Sequence, residues 1–139
     1  MMLFIWNEDW ETGLQDVDDQ HRSLLLQMDQ LFEAIRMGEE RAEVTNTMRH
    51  LALYVDYHFS HEERLMAEAG YPGLEEHRKA HDALRGTVQK IIQAQVDGSP
   101  TLLEDVTVCL QDWLFHLLDT LDRRMAAFLR EVPAQIAKD

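Results

Sequence analysis

Polar and apolar residues follow one another along most of the chain with the period of an α-helix. Glycine and proline cluster around Gly38, at 70–73 and at 97–100, and such clusters mark breaks between helices. Between the breaks, core-facing positions recur every three or four residues, and the period of two that indicates a β-strand is absent. The four stripes consist of His21, Leu24, Met28, Leu31 and Ile35; of Val44, Met48, Leu51, Val55, His58, Glu62 and Leu65; of Leu74, His77, His81, Leu84, Val88 and Ile91; and of Leu103, Val106, Leu110, Trp113, Leu117, Leu121 and Phe128.

This pattern predicts an all-α fold, an up-down-up-down four-helix bundle formed by a single domain over residues 1–139. The short connections favour antiparallel neighbours. Ser99-Pro100 predicts the start of the fourth helix, with serine as the cap and proline at the first helical position. The segment from Phe4 to Asp18, which contains Trp6 and Trp10, is expected to pack along the bundle as an extended N-terminal arm.

The strongly acidic composition limits the possible partners. The formal net charge is −13, and nucleic acids and anionic membranes both require a basic face, so we expect neither as a partner. No apolar run approaches the roughly 20 residues that span a bilayer. Cys109 is the one cysteine, so an internal disulfide is impossible and a cytoplasmic location is expected. The sequence leaves the oligomeric state open.

The first three stripes contain ionisable residues at positions that should be apolar: His21, His58, Glu62, His77 and His81. Burying each such group without a partner costs on the order of several kcal/mol of folding free energy. Residues four apart lie on one face of a helix, so His58 with Glu62, and His77 with His81, can converge on a shared point. A transition metal accepts imidazole nitrogen and carboxylate oxygen, and its charge removes the penalty of burying the glutamate.

Each of these residues, taken alone, also has an explanation that needs no metal. A single histidine such as His21 on an apolar face is more often a hydrogen-bonded core residue than a metal ligand. A buried polar network without metal is the alternative for the whole set. Because the ionisable groups lie on three different helices, we favour a metal centre, and several histidines with carboxylates in an apolar bundle suit iron, with two ions better than one.

The ordered motifs along the chain resemble the hemerythrin family, in particular its single-domain bacterial members. The segments that carry the resemblance cover nearly the whole chain. They are Trp6 to Trp10, Gly13 to His21, His58 to Met66, Tyr71-Pro72, the pair His77 and His81, Trp113-Leu114, and Asp122 to Arg124.

The resemblance implies a centre of two iron ions (Fe²⁺/Fe³⁺) with an oxo or hydroxo bridge. His77 and His81 would hold one iron, and His21 and His58 the other, which keeps an open position. Glu62 would bridge the ions. Asp122 would bridge them too, and is preferred to Asp119 because it keeps the family's spacing from Trp113. In such proteins dioxygen binds at the open iron and rests there as hydroperoxide.

The fourth helix departs from the family pattern. The family's fifth histidine falls at Leu117, whereas the nearest histidine here is His116, about 100° away on a regular helix. In one account a π-bulge between Trp113 and Asp122 turns His116 inward as a ligand. In the other, which we prefer because Leu117 already fills the inward position, the centre has lost one imidazole.

Three functions follow from these predictions. The first is a non-enzymatic oxygen-binding protein for the carriage, storage or sensing of dioxygen. The second is a di-iron oxidase or peroxidase that consumes oxygen or peroxide, favoured if Leu117 leaves one iron short of a histidine. The third is a bundle with a single structural zinc ion. The remaining histidines, His50 and His61, are expected at the surface or beside the ligands.

Overall fold

The predicted fold class is confirmed by the structure, a computed structural model that describes residues 6–131. Four long helices and no strand occur in this range. The fourth helix, α4, is continuous but changes its hydrogen-bonding pattern twice. The bounds are Gln15–Arg36 for α1, Arg41–Ala69 for α2, Leu74–Val96 for α3, and, for the three parts of α4, Leu102–Asp112 (α), Trp113–Leu121 (π) and Asp122–Leu129 (α).

Consecutive helices pack against one another through short connections, as expected for an up-down-up-down bundle. The turn between α2 and α3 depends on Gly70, whose φ of 68° lies in the left-handed region that favours glycine. The N–H of Tyr71 then donates to the carbonyl of Met66 at 2.9 Å. This tight turn brings the second half of α2 alongside the first half of α3.

The apolar interior is divided into two clusters by a layer of polar residues. The larger cluster includes Leu24 of α1, Phe59 of α2 and Leu121 of α4. The smaller one consists of Val17, Met66, Met125 and Leu129. Along each helix the predicted ionisable positions fall between the two clusters: His21 on α1, His58 and Glu62 on α2, His77 and His81 on α3, and Asp122 on α4.

The N-terminal arm is partly as expected. Trp6 and Trp10 are half-buried and pack against the larger cluster. Trp10 ends a 3₁₀ turn, Glu8–Trp10, which is capped by the side chain of Asn7. The helix α1 already begins at Gln15, so the last four residues assigned to the arm are helical. Phe4 lies outside the described residues.

The predicted start of α4 at Ser99-Pro100 is wrong. The helix begins at Leu102, and the Ser99 hydroxyl accepts the N–H of Thr101 at 3.3 Å within the preceding turn. Leu103 is accordingly 45% exposed, whereas Leu102 packs against the core one turn before Val106. Within residues 6–131, no helix combines the length and the apolar character needed to cross a membrane.

Candidate metal centre

Six of the seven predicted site residues meet inside the bundle. Their ligand atoms form two groups, and the members of each group lie within 4.8 Å of one another. Both groups contain Glu62 and Asp122, so the two carboxylates are shared. All six side chains are at most 1% exposed. The first group adds His21 and His58, and the second adds His77 and His81.

The two oxygens of Glu62 face opposite pairs of histidines. Oε2 lies 3.2 Å from Nε2 of His21 and 3.1 Å from Nε2 of His58. Oε1 lies 3.5 Å from Nε2 of His77 and 3.1 Å from Nε2 of His81. One carboxylate therefore spans the two groups, which is the arrangement of a bridging ligand.

Asp122 divides its oxygens in the same way. Oδ2 lies 3.0 Å from Nε2 of His21, and Oδ1 lies 2.8 Å from Nε2 of His77. Each of the two groups therefore contains two imidazole nitrogens and one oxygen from each of the two shared carboxylates.

These separations fit a pair of metal ions better than a hydrogen-bonded network. Two ligand atoms, each about 2.1 Å from one ion at a right angle, lie about 3 Å apart. Several of the short approaches lack the directionality of hydrogen bonds, so buried atoms of the cluster have no hydrogen-bond partner: Nε2 of His58, His77 and His81, Oε1 of Glu62 and Oδ1 of Asp122. Native interiors seldom leave so many polar atoms unsatisfied, and atoms that converge on a cation need no such partner.

The π-helical segment of α4 explains how Asp122 reaches the cluster. Nine residues separate Trp113 from Asp122, about two and a half turns of a regular α-helix, which would place them on opposite sides. The i→i+5 hydrogen bonds of a π-helix put more residues into each turn, so the same nine residues complete about two turns. Both side chains are consequently 1% exposed.

The π distortion of the account that we did not prefer therefore exists, but it does not turn His116 inward. His116 is exposed, whereas Leu117 beside it is 1% exposed, so the structure leaves His116 out of the cluster. The loss of one imidazole from the centre stays a prediction. Along this part of α4, buried residues come in adjacent pairs every four residues: 113 and 114, 117 and 118, 121 and 122, and 125 and 126.

In the metal-free cluster, the buried histidines and carboxylates shift one another's pKa values. Burial lowers the pKa of His21, but hydrogen bonds to Asp122 and Glu62 outweigh this effect and raise the pKa to about 9. Burial likewise lowers the pKa of His77, and the nearby carboxylates of Asp122 and Glu62 outweigh this effect and raise the pKa to about 9. Burial raises the pKa of Glu62, and the nearby His58 and His21 more than reverse this, which leaves the pKa well below its usual value. Without metal, the raised pKa values keep His21 and His77 protonated at neutral pH, beside an ionised Glu62.

We predict that the metal-free protein loses stability as the pH rises. A group whose pKa is raised on folding contributes stability below its unfolded pKa of 6.5, and this contribution disappears as the pH passes about 9. Urea unfolding at pH 6.5 and 9.5 should give a lower free energy of unfolding at the higher pH, and metal loading should reduce the difference. Stability that increases from pH 6.5 to 9.5 would contradict the assignment.

Two hydrogen-bonding partners of the cluster were missed from the sequence. Oε1 of Gln20 accepts from Nδ1 of His58 at 2.7 Å, and Oε2 of Glu63 accepts from Nδ1 of His81 at 2.8 Å. Each partner directly precedes or follows a cluster residue in the chain, which is the only hint that the sequence gives. Both bonds direct Nε2 of the imidazole toward the shared carboxylates.

The other polar residues weighed at the sequence level lie outside the cluster. His50 is exposed, and His61 is half-buried with Nδ1 2.8 Å from the guanidinium of Arg64. Asp119 is exposed and pairs with Arg123 at 3.1 Å.

An apolar cavity of about 50 Å³ lies in the larger core cluster. Trp113 connects it to the polar layer, since its ring lines the cavity and meets the ring of His21 edge-on at 6.1 Å. Leu24, Met28 and Leu51 also line the cavity, whereas Leu117 is buried elsewhere. A cavity with such a lining stays free of water.

Comparison with known proteins places this cluster in a family. Residues 12–132, which include every cluster residue, match the family model described as the hemerythrin HHE cation binding domain. The chain belongs to the hemerythrin family.

Named relatives in this family align over most of their length. Bacteriohemerythrin of Pseudomonas aeruginosa is 27% identical over 139 residues, which cover 100% of this chain and 90% of the relative. Bacteriohemerythrin of Methylococcus capsulatus is 27% identical over 88% of this chain and 94% of its own. Myohemerythrin of Riftia pachyptila is 26% identical over 86% of this chain and 88% of its own.

Proposed function

We propose that this chain is a non-haem di-iron protein that binds dioxygen. The observation that carries the proposal is the pair of ligand groups, each with two imidazoles and both sharing Glu62 and Asp122, in an interior closed to water. Mixed imidazole and carboxylate donors in a helical bundle suit iron, and the two groups match two ions rather than one.

Each proposed ligand has a stated role. His21 and His58 would hold one iron, His77 and His81 would hold the other, and Glu62 and Asp122 would be shared between them. Four protein ligands for each ion would leave positions free on an octahedral metal. When bound, the pair of ferrous ions would supply the two electrons that dioxygen takes up.

The apolar cavity supplies the environment that reversible binding needs. Dioxygen is small and apolar, so a dry cavity that only the Trp113 ring separates from His21 accommodates it near the proposed centre, while the surrounding side chains exclude the water that would promote irreversible oxidation. The relatives named bacteriohemerythrin and myohemerythrin agree with this function. We assign the protein to carriage, storage or sensing of dioxygen in the cytoplasm, as one domain.

Stopped-flow mixing of the anaerobically reduced, iron-loaded protein with oxygen tests this function. A visible charge-transfer band that persists and disappears on removal of oxygen is expected. Immediate conversion to the oxidised form, without such a band, would contradict reversible binding.

One observation favours a second candidate, a di-iron oxidase or peroxidase. Because Leu117 is buried and His116 is exposed, neither iron receives a third histidine from α4. An additional free position on the His77–His81 ion would admit peroxide or water, which favours turnover over storage. Consumption of peroxide by the iron-loaded protein over many cycles would identify this activity.

Substitutions of Leu117 and His116 distinguish the oxygen-binding function from the oxidase or peroxidase. Leu117→His restores an imidazole at the buried position, and we expect the oxygenated band to decay more slowly than in the wild type. His116→Ala, the matched control on the exposed side, should leave both the band and the iron content unchanged. Loss of iron in the His116→Ala protein would show that His116 is a ligand after all.

A further inference from the structure

The two proposed metal positions have matching inner ligands but different outer contacts. Each position draws on two histidines and the same two carboxylates. Any difference in affinity between the positions must therefore arise from the groups that contact the histidines on their outer side, at Nδ1.

At the first position these outer contacts are neutral or absent. His58 donates from Nδ1 to the amide oxygen of Gln20 at 2.7 Å. Nδ1 of His21 is buried and has no hydrogen-bond partner within residues 6–131, and the same is true of Nδ1 of His77 at the second position, so the outer contacts differ only at His58 and His81.

At the second position His81 is held on two sides. Its Nδ1 donates to the carboxylate of Glu63 at 2.8 Å, and its ring stacks on Phe59 with ring centroids 3.9 Å apart and planes 3° from parallel. The tautomer follows from the chemistry, since a carboxylate can only accept a hydrogen bond. A cation bound between His81 and Glu62 would therefore meet the Nε2 side of the ring, where Oε1 of Glu62 lies 3.1 Å away.

Glu63 itself is fixed by Arg85. The guanidinium donates to Oε2 of Glu63 at 2.9 Å and lies 5.4 Å over the ring of Phe59. It also donates to Asp56 and Asp82, at 2.9 Å each. The carboxylate is thus oriented by a side chain that is anchored to both α2 and α3, which reduces the entropy lost when His81 binds a cation.

We propose that Glu63, oriented by Arg85, is a positioning residue that makes the two metal positions unequal. A carboxylate on the outer nitrogen increases the basicity of an imidazole more than a neutral amide does, and it fixes the ring for binding. The position formed by His77 and His81 therefore binds a divalent cation more tightly and fills first. This inference rests on the proposed two-metal function.

Glu63→Gln tests the proposal because the amide keeps the shape of the side chain and removes its charge. The metal-free protein would be titrated with Co²⁺ in two backgrounds, His58→Leu, which retains the His77–His81 pair, and His77→Leu, which retains the His21–His58 pair. We expect Glu63→Gln to weaken Co²⁺ binding about 10–100-fold in the first background, the usual effect of removing such a partner. In the second background we expect less than about a twofold change.

The control is Glu75→Gln, which makes the same change at an exposed glutamate of α3 that pairs with Arg78, and which should alter neither affinity. Equal losses in both backgrounds would show that Glu63 acts only on the fold, and no loss would show that it does not act at all; either result overturns the proposal. If a background variant does not fold, the intact chain serves instead, with the loss confined to one of two Co²⁺ equivalents. An intact chain that binds no Co²⁺ would refute the two-metal function itself.

Discussion

Glu62→Gln is expected to abolish metal binding at both positions. The two carboxylate oxygens of Glu62 face different pairs of histidines, and an amide has only one oxygen to offer and no charge. We expect the iron content after anaerobic reconstitution to fall from two ions per chain to nearly none. Iron analysis of the desalted protein checks this result.

The same substitution removes one partner of a buried ion pair. Such a loss costs about 3–5 kcal/mol of folding free energy when the remaining charge stays buried, so the metal-free variant should also be less stable in urea. The matched control is Glu68→Gln, at an exposed glutamate of the same helix, which should keep both iron and stability. Two irons per chain in Glu62→Gln would refute the bridging role.

Trp113→Ala is expected to weaken both the fold and the protection of bound oxygen. Trp113 is 1% exposed and forms the wall between the apolar cavity and His21. Truncating a buried tryptophan to alanine costs about 3–5 kcal/mol, and the enlarged space beside the polar layer is large enough to admit water. The free energy of unfolding of the iron-loaded protein should fall by that amount.

The lifetime of the oxygenated band should shorten in the same variant, because water reaches the bound oxygen. Trp113→Phe is the control, since it retains an aromatic wall and should show smaller effects on both measurements. If the Trp113→Ala protein is less stable but keeps the wild-type lifetime of the oxygenated band, the cavity does not protect bound oxygen.

The helical stripes were sufficient to predict the fold and the polar layer. Apolar side chains at helical spacing need a common core, and buried ionisable groups such as Glu62 and His77 need a compensating partner. Both the fold and the polar layer follow from the spacing of apolar and ionisable residues within single helices. The two groups of ligand atoms lie in the layer between the two apolar clusters.

Features that depend on departures from the regular helix could not be predicted in the same way. A period of 3.6 residues puts Asp122 opposite Trp113, and only the π segment brings both inward. In the π segment, exposed residues also come in pairs, and residues 115 and 116 form one such pair. His116 therefore points to solvent. The contacts of Gln20 and Glu63 depend on packing between helices, which no single-helix pattern contains.

A crystal structure of the protein grown with ferrous salt, with anomalous diffraction recorded at the iron edge, tests the central claim most directly. We predict two peaks, one bound by His21 and His58 and the other by His77 and His81, both within about 2.0–2.2 Å of an oxygen of Glu62 and of Asp122. No peak, a single peak, or side chains in the polar layer bonded only to one another or to water would contradict it.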